Sequence, residues 1–186
     1  MQQIIECEEK FFCAHTPALF HFIEKELKFK FQKKVFETDI YLKDKQSLYI
    51  QKDSCLRIRK SNLPFFELTS KKLLKNDIRV KIEKTITFPA HKHQRILALL
   101  KRIGFKEYCT VFKERFIYTS DKFSSTYNIM LDVINKKTSF LELEIVSEKN
   151  DPQLLKKLSE FEKLFQKFNL QKTDQNYRDF VKNHHL

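Results

Sequence analysis

Three short stretches place ionisable side chains at every second position: Ile5-Glu6-Cys7-Glu8-Glu9-Lys10-Phe11, Leu56-Arg57-Ile58-Arg59 and Leu141-Glu142-Leu143-Glu144-Ile145. In an extended strand Glu6, Glu8 and Lys10 share one face while Ile5, Cys7 and Phe11 share the other, and the arginine and carboxylate pairs behave alike. The chemistry on offer is specific. Neighbouring carboxylates supply hard oxygen ligands for a divalent ion, and neighbouring arginines present forked donors to phosphate oxygens.

Further stretches repeat the alternation. In Arg79-Val80-Lys81-Ile82-Glu83 the ions face one way, Lys113 and Arg115 oppose Phe112 and Phe116, and Asp132 lies between Leu131 and Val133. An antiparallel sheet with one wet face accounts for any single strand of this kind. The set asks for more, because like charges two apart on one face, as in Arg57/Arg59 and Glu142/Glu144, repel. A closed barrel with its charged faces inward, filled by a polyanion and a divalent metal, offsets that repulsion, and amphipathic helices then cover the apolar outside.

The elements that must position these residues are legible as periodicities. Strands are predicted over 3–12, 34–42, 47–51, 54–60, 65–71, 78–88, 108–119, 126–134 and 139–147. Thr16-Pro17 opens a helix over 17–28, a second helix near 91–103 ends at Gly104, and Leu154, Leu155, Leu158, Phe161, Leu164, Phe165 and Phe168 mark a third, with a short one over 174–184. No repeat or linker divides the chain, so a single domain over 1–186 is expected.

Composition narrows the function. The formal charge of +12 points to a polyanionic partner, nucleic acid or a phosphorylated small molecule, although lysine runs such as Lys71-Lys72 and Lys136-Lys137 read as solvated surface. A single glycine, Gly104, excludes a P-loop, a dinucleotide-binding turn and a nucleophile elbow, so phosphate must be gripped by side chains. Cys7, Cys13, Cys55 and Cys109 form no Cys-x-x-Cys pair, and four reduced thiols are expected. No run is apolar for long enough to span a bilayer and the charged N-terminal stretch is unlike a secretory signal, so the expectation is a cytoplasmic protein with no membrane partner.

In this order the motifs resemble the CYTH superfamily, the triphosphate tunnel metalloenzymes, which includes thiamine triphosphatases, inorganic triphosphatases and class IV adenylate cyclases. Glu6-x-Glu8-x-Lys10 carries the resemblance, followed by Thr38-Asp39-Ile40-Tyr41, Leu56-Arg57-Ile58-Arg59, Thr69-Ser70-Lys71, Arg79 through Glu83, Lys113-x-Arg115, Asp132 and Phe140-Leu141-Glu142-Leu143-Glu144. Asn176-Tyr177-Arg178-Asp179-Phe180-Val181 is similar to the family's terminal Ser-Tyr-x-x-Leu-Leu. One departure concerns the site itself: Lys81 stands where the family usually has a carboxylate.

The resemblance implies an α+β fold, an eight-stranded antiparallel β-barrel forming a triphosphate tunnel with flanking helices. It implies a Mg²⁺ or Mn²⁺ site from Glu6, Glu8, Asp132, Glu142 and Glu144, and a phosphate grip from Lys10, Arg57, Arg59, Lys71, Arg79, Lys113 and Arg115. The implied reaction is metal-dependent hydrolysis of a triphosphate-containing small molecule, with Lys71 as proton acceptor. The Leu-Arg-x-Arg strand running into Phe66-Glu67-Leu68 looks closer to the thiamine triphosphatase branch. The alternatives are a class IV adenylate cyclase, making cyclic AMP and pyrophosphate from ATP in the same tunnel, and a non-catalytic polyphosphate or RNA module, with a monomer or homodimer as the assembly. His91-x-His93, lacking a third ligand, reads as surface histidines, most of the 19 phenylalanines as core, and Tyr41 and Tyr177 as either mouth or structural residues.

Overall fold

The computed structural model describes residues 2–50, 54–74, 77–122, 125–149 and 151–184. The alternating stretches form β1 (Gln2–Phe12), β2 (Lys30–Lys43), β3 (Cys55–Ser61), β4 (Phe65–Leu73), β5 (Val80–Pro89), β6 (Lys106–Lys122), β7 (Ser125–Ile134) and β8 (Thr138–Ser147). Helix α1 (Pro17–His21) runs into a π-helical turn over Phe22–Glu26, α2 is His93–Arg102, α3 is Leu154–Lys163, a short β9 is Gln171–Thr173 and α4 is Tyr177–Asn183.

Strand order is β5-β4-β3-β2-β6-β7-β8-β1, and β1 pairs back to β5, so the eight long strands close an antiparallel barrel. Closure leaves each strand with two faces and no free edge among the eight. The registers place ions side by side on the inner face: Glu8 opposite Glu144, Lys10 opposite Glu142, Glu6 opposite Lys81, Asp39 opposite Arg59, and Arg115 opposite Asp132.

Three apolar contacts hold the barrel, two of them on its outer face. On one side Cys7, Leu131, Leu141, Leu143 and Ile145 pack under Leu19 and Ile23 of the first helical segment and under Leu154, Leu158 and Phe161 of α3. A second contact sets Leu100 and Ile96 of α2 on Leu42, Ile58 and Phe66. In the third, Tyr177, Phe180 and Val181 of α4 meet Tyr41, Val111, Ile134 and Phe140. Those four strand residues share the inward face with Asp39, Lys113, Asp132 and Glu142, so α4 closes one end of the barrel with an apolar plug. Each fully buried Leu, Ile or Phe contributes about 1.5–3 kcal/mol by burial.

Local signals operate as expected at two helix ends. The Thr16 hydroxyl accepts from the Leu19 N–H at 3.2 Å, with Pro17 at the first position of α1. Gly104 adopts φ +99° after α2, its N–H donates to the Lys101 carbonyl at 3.1 Å and that of Phe105 to Leu100 at 2.9 Å, which completes a Schellman cap.

Two expectations need correction. No strand covers 47–50: the Asp44 carboxylate accepts from the backbone N–H groups of Gln46 and Tyr49 and winds the segment into a turn, while residue 51 lies outside the described residues. His93 is 7% exposed, edge-on to the Phe66 ring, with Nε2 lacking a hydrogen-bond partner; α2 turns it inward rather than to the surface. Most described phenylalanines pack inside, yet Phe31, Phe36 and Phe112 are exposed on the outer face of β2 and β6. Among the described residues no helix is long and apolar enough to cross a membrane.

Candidate active site

The inward charges enclose a cavity of about 280 Å³. It is lined by eight cations, Lys10, Arg57, Arg59, Lys71, Lys81, Lys113, Arg115 and Arg178, and by five carboxylates, Glu6, Glu8, Glu83, Glu142 and Glu144. One wall is guanidinium-rich. Arg59 donates to Asp39 through Nε and Nη2, both at 2.7 Å, and Arg57 reaches Asp39 at 3.5 Å and Glu83 at 3.7 Å. Burial opposes the charge on Asp39, but Arg59, Arg57 and Lys113 hold its carboxyl well below the usual range. Glu37 is likewise brought down to about 2 against burial by Arg59, Lys113 and Arg115. The Arg57 Nε is buried without a hydrogen-bond partner.

A second group couples β6, β7 and β8. Arg115 forks onto Asp132 at 2.6 and 2.5 Å and reaches Glu142 at 3.2 Å, and the Tyr177 hydroxyl donates to Asp132 at 2.7 Å. Lys10 stands 2.7 Å from Glu8 and 3.4 Å from Glu142. Against burial, Lys10 and Arg115 bring Glu142 down to about 2. Lys113 pairs with Glu37 at 2.8 Å, while burial and the neighbouring Arg115 and Arg59 lower its pKa.

The third group is acidic. Glu6 and Glu8 of β1 and Glu144 of β8 each offer one oxygen within 4.8 Å of the others, a donor set of hard oxygens that suits Mg²⁺ or Mn²⁺. Burial pushes Glu6 up to about 8, with Glu8, Glu83 and Glu144 adding repulsion that Lys71 only partly offsets. Lost hydration and the nearby Glu142 and Glu8 also raise Glu144, despite Lys71 and the Asn128 amide that donates to it at 2.8 Å. Glu8 goes the other way: burial is outweighed by Lys10, Lys81 and Lys71. Two crowded carboxylates with raised pKa values are groups whose charged forms a divalent cation would stabilise. Lys71 is bonded to Glu6 and lies 3.0 Å from Glu83; burial is overcome by these carboxylates and its ammonium is held charged.

The CYTH domain profile matches residues 5–177. The chain belongs to the CYTH domain family. A Methanocaldococcus jannaschii protein provisionally named an adenylate cyclase is 30% identical over 149 residues, covering 80% of this chain and 81% of its own. The protein PH1819 of Pyrococcus horikoshii superposes with a TM-score of 0.77 at 23% identity over 96% of this chain and 99% of that one. A Hippeastrum protein, provisionally named an adenylyl cyclase and described as having a dominant triphosphatase activity, superposes at 0.66 with 14% identity, covering 97% and 96%. The eight-stranded tunnel of the CYTH fold is therefore the architecture of this chain.

Within this CYTH barrel, eleven of the twelve site residues expected from sequence lie in the charged network, and ten of them line the cavity. Asp132 is in the network behind the wall, fully buried against Arg115 and Tyr177, and apart from the acidic trio. Arg79 stands outside it: the residue precedes β5, and its guanidinium binds Asp77 through Nε at 3.0 Å and Nη2 at 2.7 Å. Sequence reasoning did not single out Glu37, Asn128 or Glu83 as site residues, and took Asp39 only as part of a motif. Alternation within β2, Val35, Glu37, Asp39 and Tyr41 against Phe36, Thr38 and Ile40, carried the missing signal for Glu37.

Proposed function

We propose that the tunnel binds a triphosphate-containing small molecule and hydrolyses it with Mg²⁺ or Mn²⁺. The observation that carries this reading is the eight-cation cavity, with the partnerless Arg57 Nε, beside a carboxylate trio whose members resist ionising together. A polyanion satisfies the cations, and a divalent ion satisfies the trio. At about 280 Å³ the cavity sits at the low end of small-molecule pockets, roughly 300–1,000 Å³, which fits a phosphate chain and leaves an organic group outside.

Glu6, Glu8 and Glu144 would hold the metal. When bound, a divalent ion neutralises phosphate oxygens and polarises the phosphorus for in-line attack by water. Lys10, Arg57, Arg59, Lys113 and Arg115 bind the phosphates and stabilise charge as it moves toward the leaving group. Glu142 and Asp132 position Arg115, and Glu142 also positions Lys10. Lys71, held charged by Glu83 at 3.0 Å and bonded to Glu6, serves as a phosphate contact in preference to a proton acceptor. Arg79, bound to Asp77, is left out of the grip.

A second reading, cyclisation of ATP with attack by the ribose 3′ hydroxyl, is favoured by the 30% identity to a relative provisionally named an adenylate cyclase. One assay separates them: incubate the protein with Mg²⁺ or Mn²⁺ and tripolyphosphate, thiamine triphosphate or ATP. Orthophosphate is the expected product. Pyrophosphate with cyclic AMP would replace hydrolysis by cyclisation, and no product from any of the three would sink both.

A further inference from the structure

Glu8 faces more ammonium groups than Glu6 or Glu144 does. The Lys10 and Lys81 ammonium groups donate to the same oxygen, Oε1, each at 2.7 Å, and Lys71 lies 4.0 Å from Oε2. Lys10 has a second carboxylate in Glu142, and Lys71 has Glu6 and Glu83. Among the described residues Lys81 is paired with Glu8 alone. Its side chain is 8% exposed, enters from β5 opposite Glu6 in register and lines the cavity. An ammonium buried this far stays beside its counter-charge, because separation strands both ions in a poorly hydrated site.

This bears on how many divalent ions the tunnel accepts. Two-ion phosphoryl-transfer sites hold their ions roughly 3.5–4 Å apart, clamped by shared carboxylates. Glu8, from the middle of β1, is placed to be shared, but its Oε1 is already committed to two ammonium groups. A second dication at that oxygen would meet both positive charges at close range. We propose that Lys81 is a resident substitute for a second divalent ion, so that the tunnel takes one divalent ion per triphosphate, on Glu6, Glu8 and Glu144. The inference rests on the triphosphate reading above and specifies its metal requirement. Lys81 thereby supplies one charge where a second metal would supply two, and the arginine wall carries the difference.

The test counts bound Mn²⁺ without turnover. The protein is saturated with methylene-bridged tripolyphosphate, which is not hydrolysed, and titrated with Mn²⁺ while the electron paramagnetic resonance signal of free ion is followed. Wild type and Lys81→Arg are expected to bind one ion per chain. Lys81→Gln, similar in size but neutral, is expected to bind two, with Lys81→Met read in the same way should the glutamine variant fail to fold. Two ions in wild type, or one in a folded neutral variant, would overturn the inference and leave the triphosphate reading standing. Failure of wild type to bind the bridged triphosphate at all would overturn both.

Discussion

Asp132→Asn separates two roles for a buried carboxylate. Asp132 is fully buried and accepts from Arg115 at 2.6 and 2.5 Å and from the Tyr177 hydroxyl at 2.7 Å. Asparagine keeps one acceptor oxygen but removes the charge, leaving Arg115 only Glu142, at 3.2 Å. Removing one partner of a buried ion pair costs about 3–5 kcal/mol, and the retained hydrogen bond places this variant near 3. For a chain of this size the melting temperature should fall by about 6–12 °C. Urea unfolding gives the free energy directly, and Mn²⁺ titration of the same samples should show affinity unchanged, because the acidic trio excludes Asp132. Removing both charges in Arg115→Met with Asp132→Leu should recover most of the loss. A melting shift below about 3 °C, or lost Mn²⁺ binding at full stability, would refute the anchoring role and return Asp132 to the ligand set.

Glu6→Gln and Glu144→Gln should each lower kcat/KM by about a hundredfold or more while the chain still folds, measured by phosphate release and circular dichroism. The same Glu6→Gln variant tests the raised pKa. Because folded Glu6 keeps its proton up to about pH 8 against an ordinary value of 4.5, wild type should lose stability as pH rises between those values and level off above, and the variant should lose that slope. His93 gives the opposite sign: burial lowers its pKa from 6.5, so stability falls as pH drops below 6.5, and His93→Phe should flatten that limb in urea unfolding at pH 5 and pH 7. A limb unchanged by the substitution would locate the acid sensitivity elsewhere.

Period-2 alternation was enough to place Glu6, Glu8, Lys10, Arg57, Arg59, Glu142 and Glu144 on one inner surface, because a strand has only two faces and apolar neighbours mark the outer one. Alternation carries no information on what lies across the barrel. The repulsion within Arg57/Arg59 suggested an external anion as the offset, whereas Glu37 and Asp39 on the adjacent strand already supply much of it. Asp132 was assigned to the correct face but not to its partner, since Arg115 becomes its neighbour only through the β6–β7 register. Arg79 continued the pattern of Lys81 and Glu83, yet the strand begins at Val80 and Asp77 draws the guanidinium away. Three polar residues hide β9, and an apolar Leu48-Tyr49-Ile50 run imitates a strand where a side chain of Asp44 makes a turn.

Because β1 is the stave that closes the barrel, pairing with both β5 and β8, its timing during synthesis differs from that of every other strand. Translation at about 5–20 residues per second exposes β1 on the order of ten seconds before β8 has been made. Until then Glu6 and Glu8 have no Glu144 beside them, and the apolar face of β1 lacks α3, which covers it. A nascent or truncated chain therefore presents an unpaired, half-apolar edge and no assembled trio of carboxylates. Such non-local closure favours slow folding, and the acidic trio is assembled only with that last step.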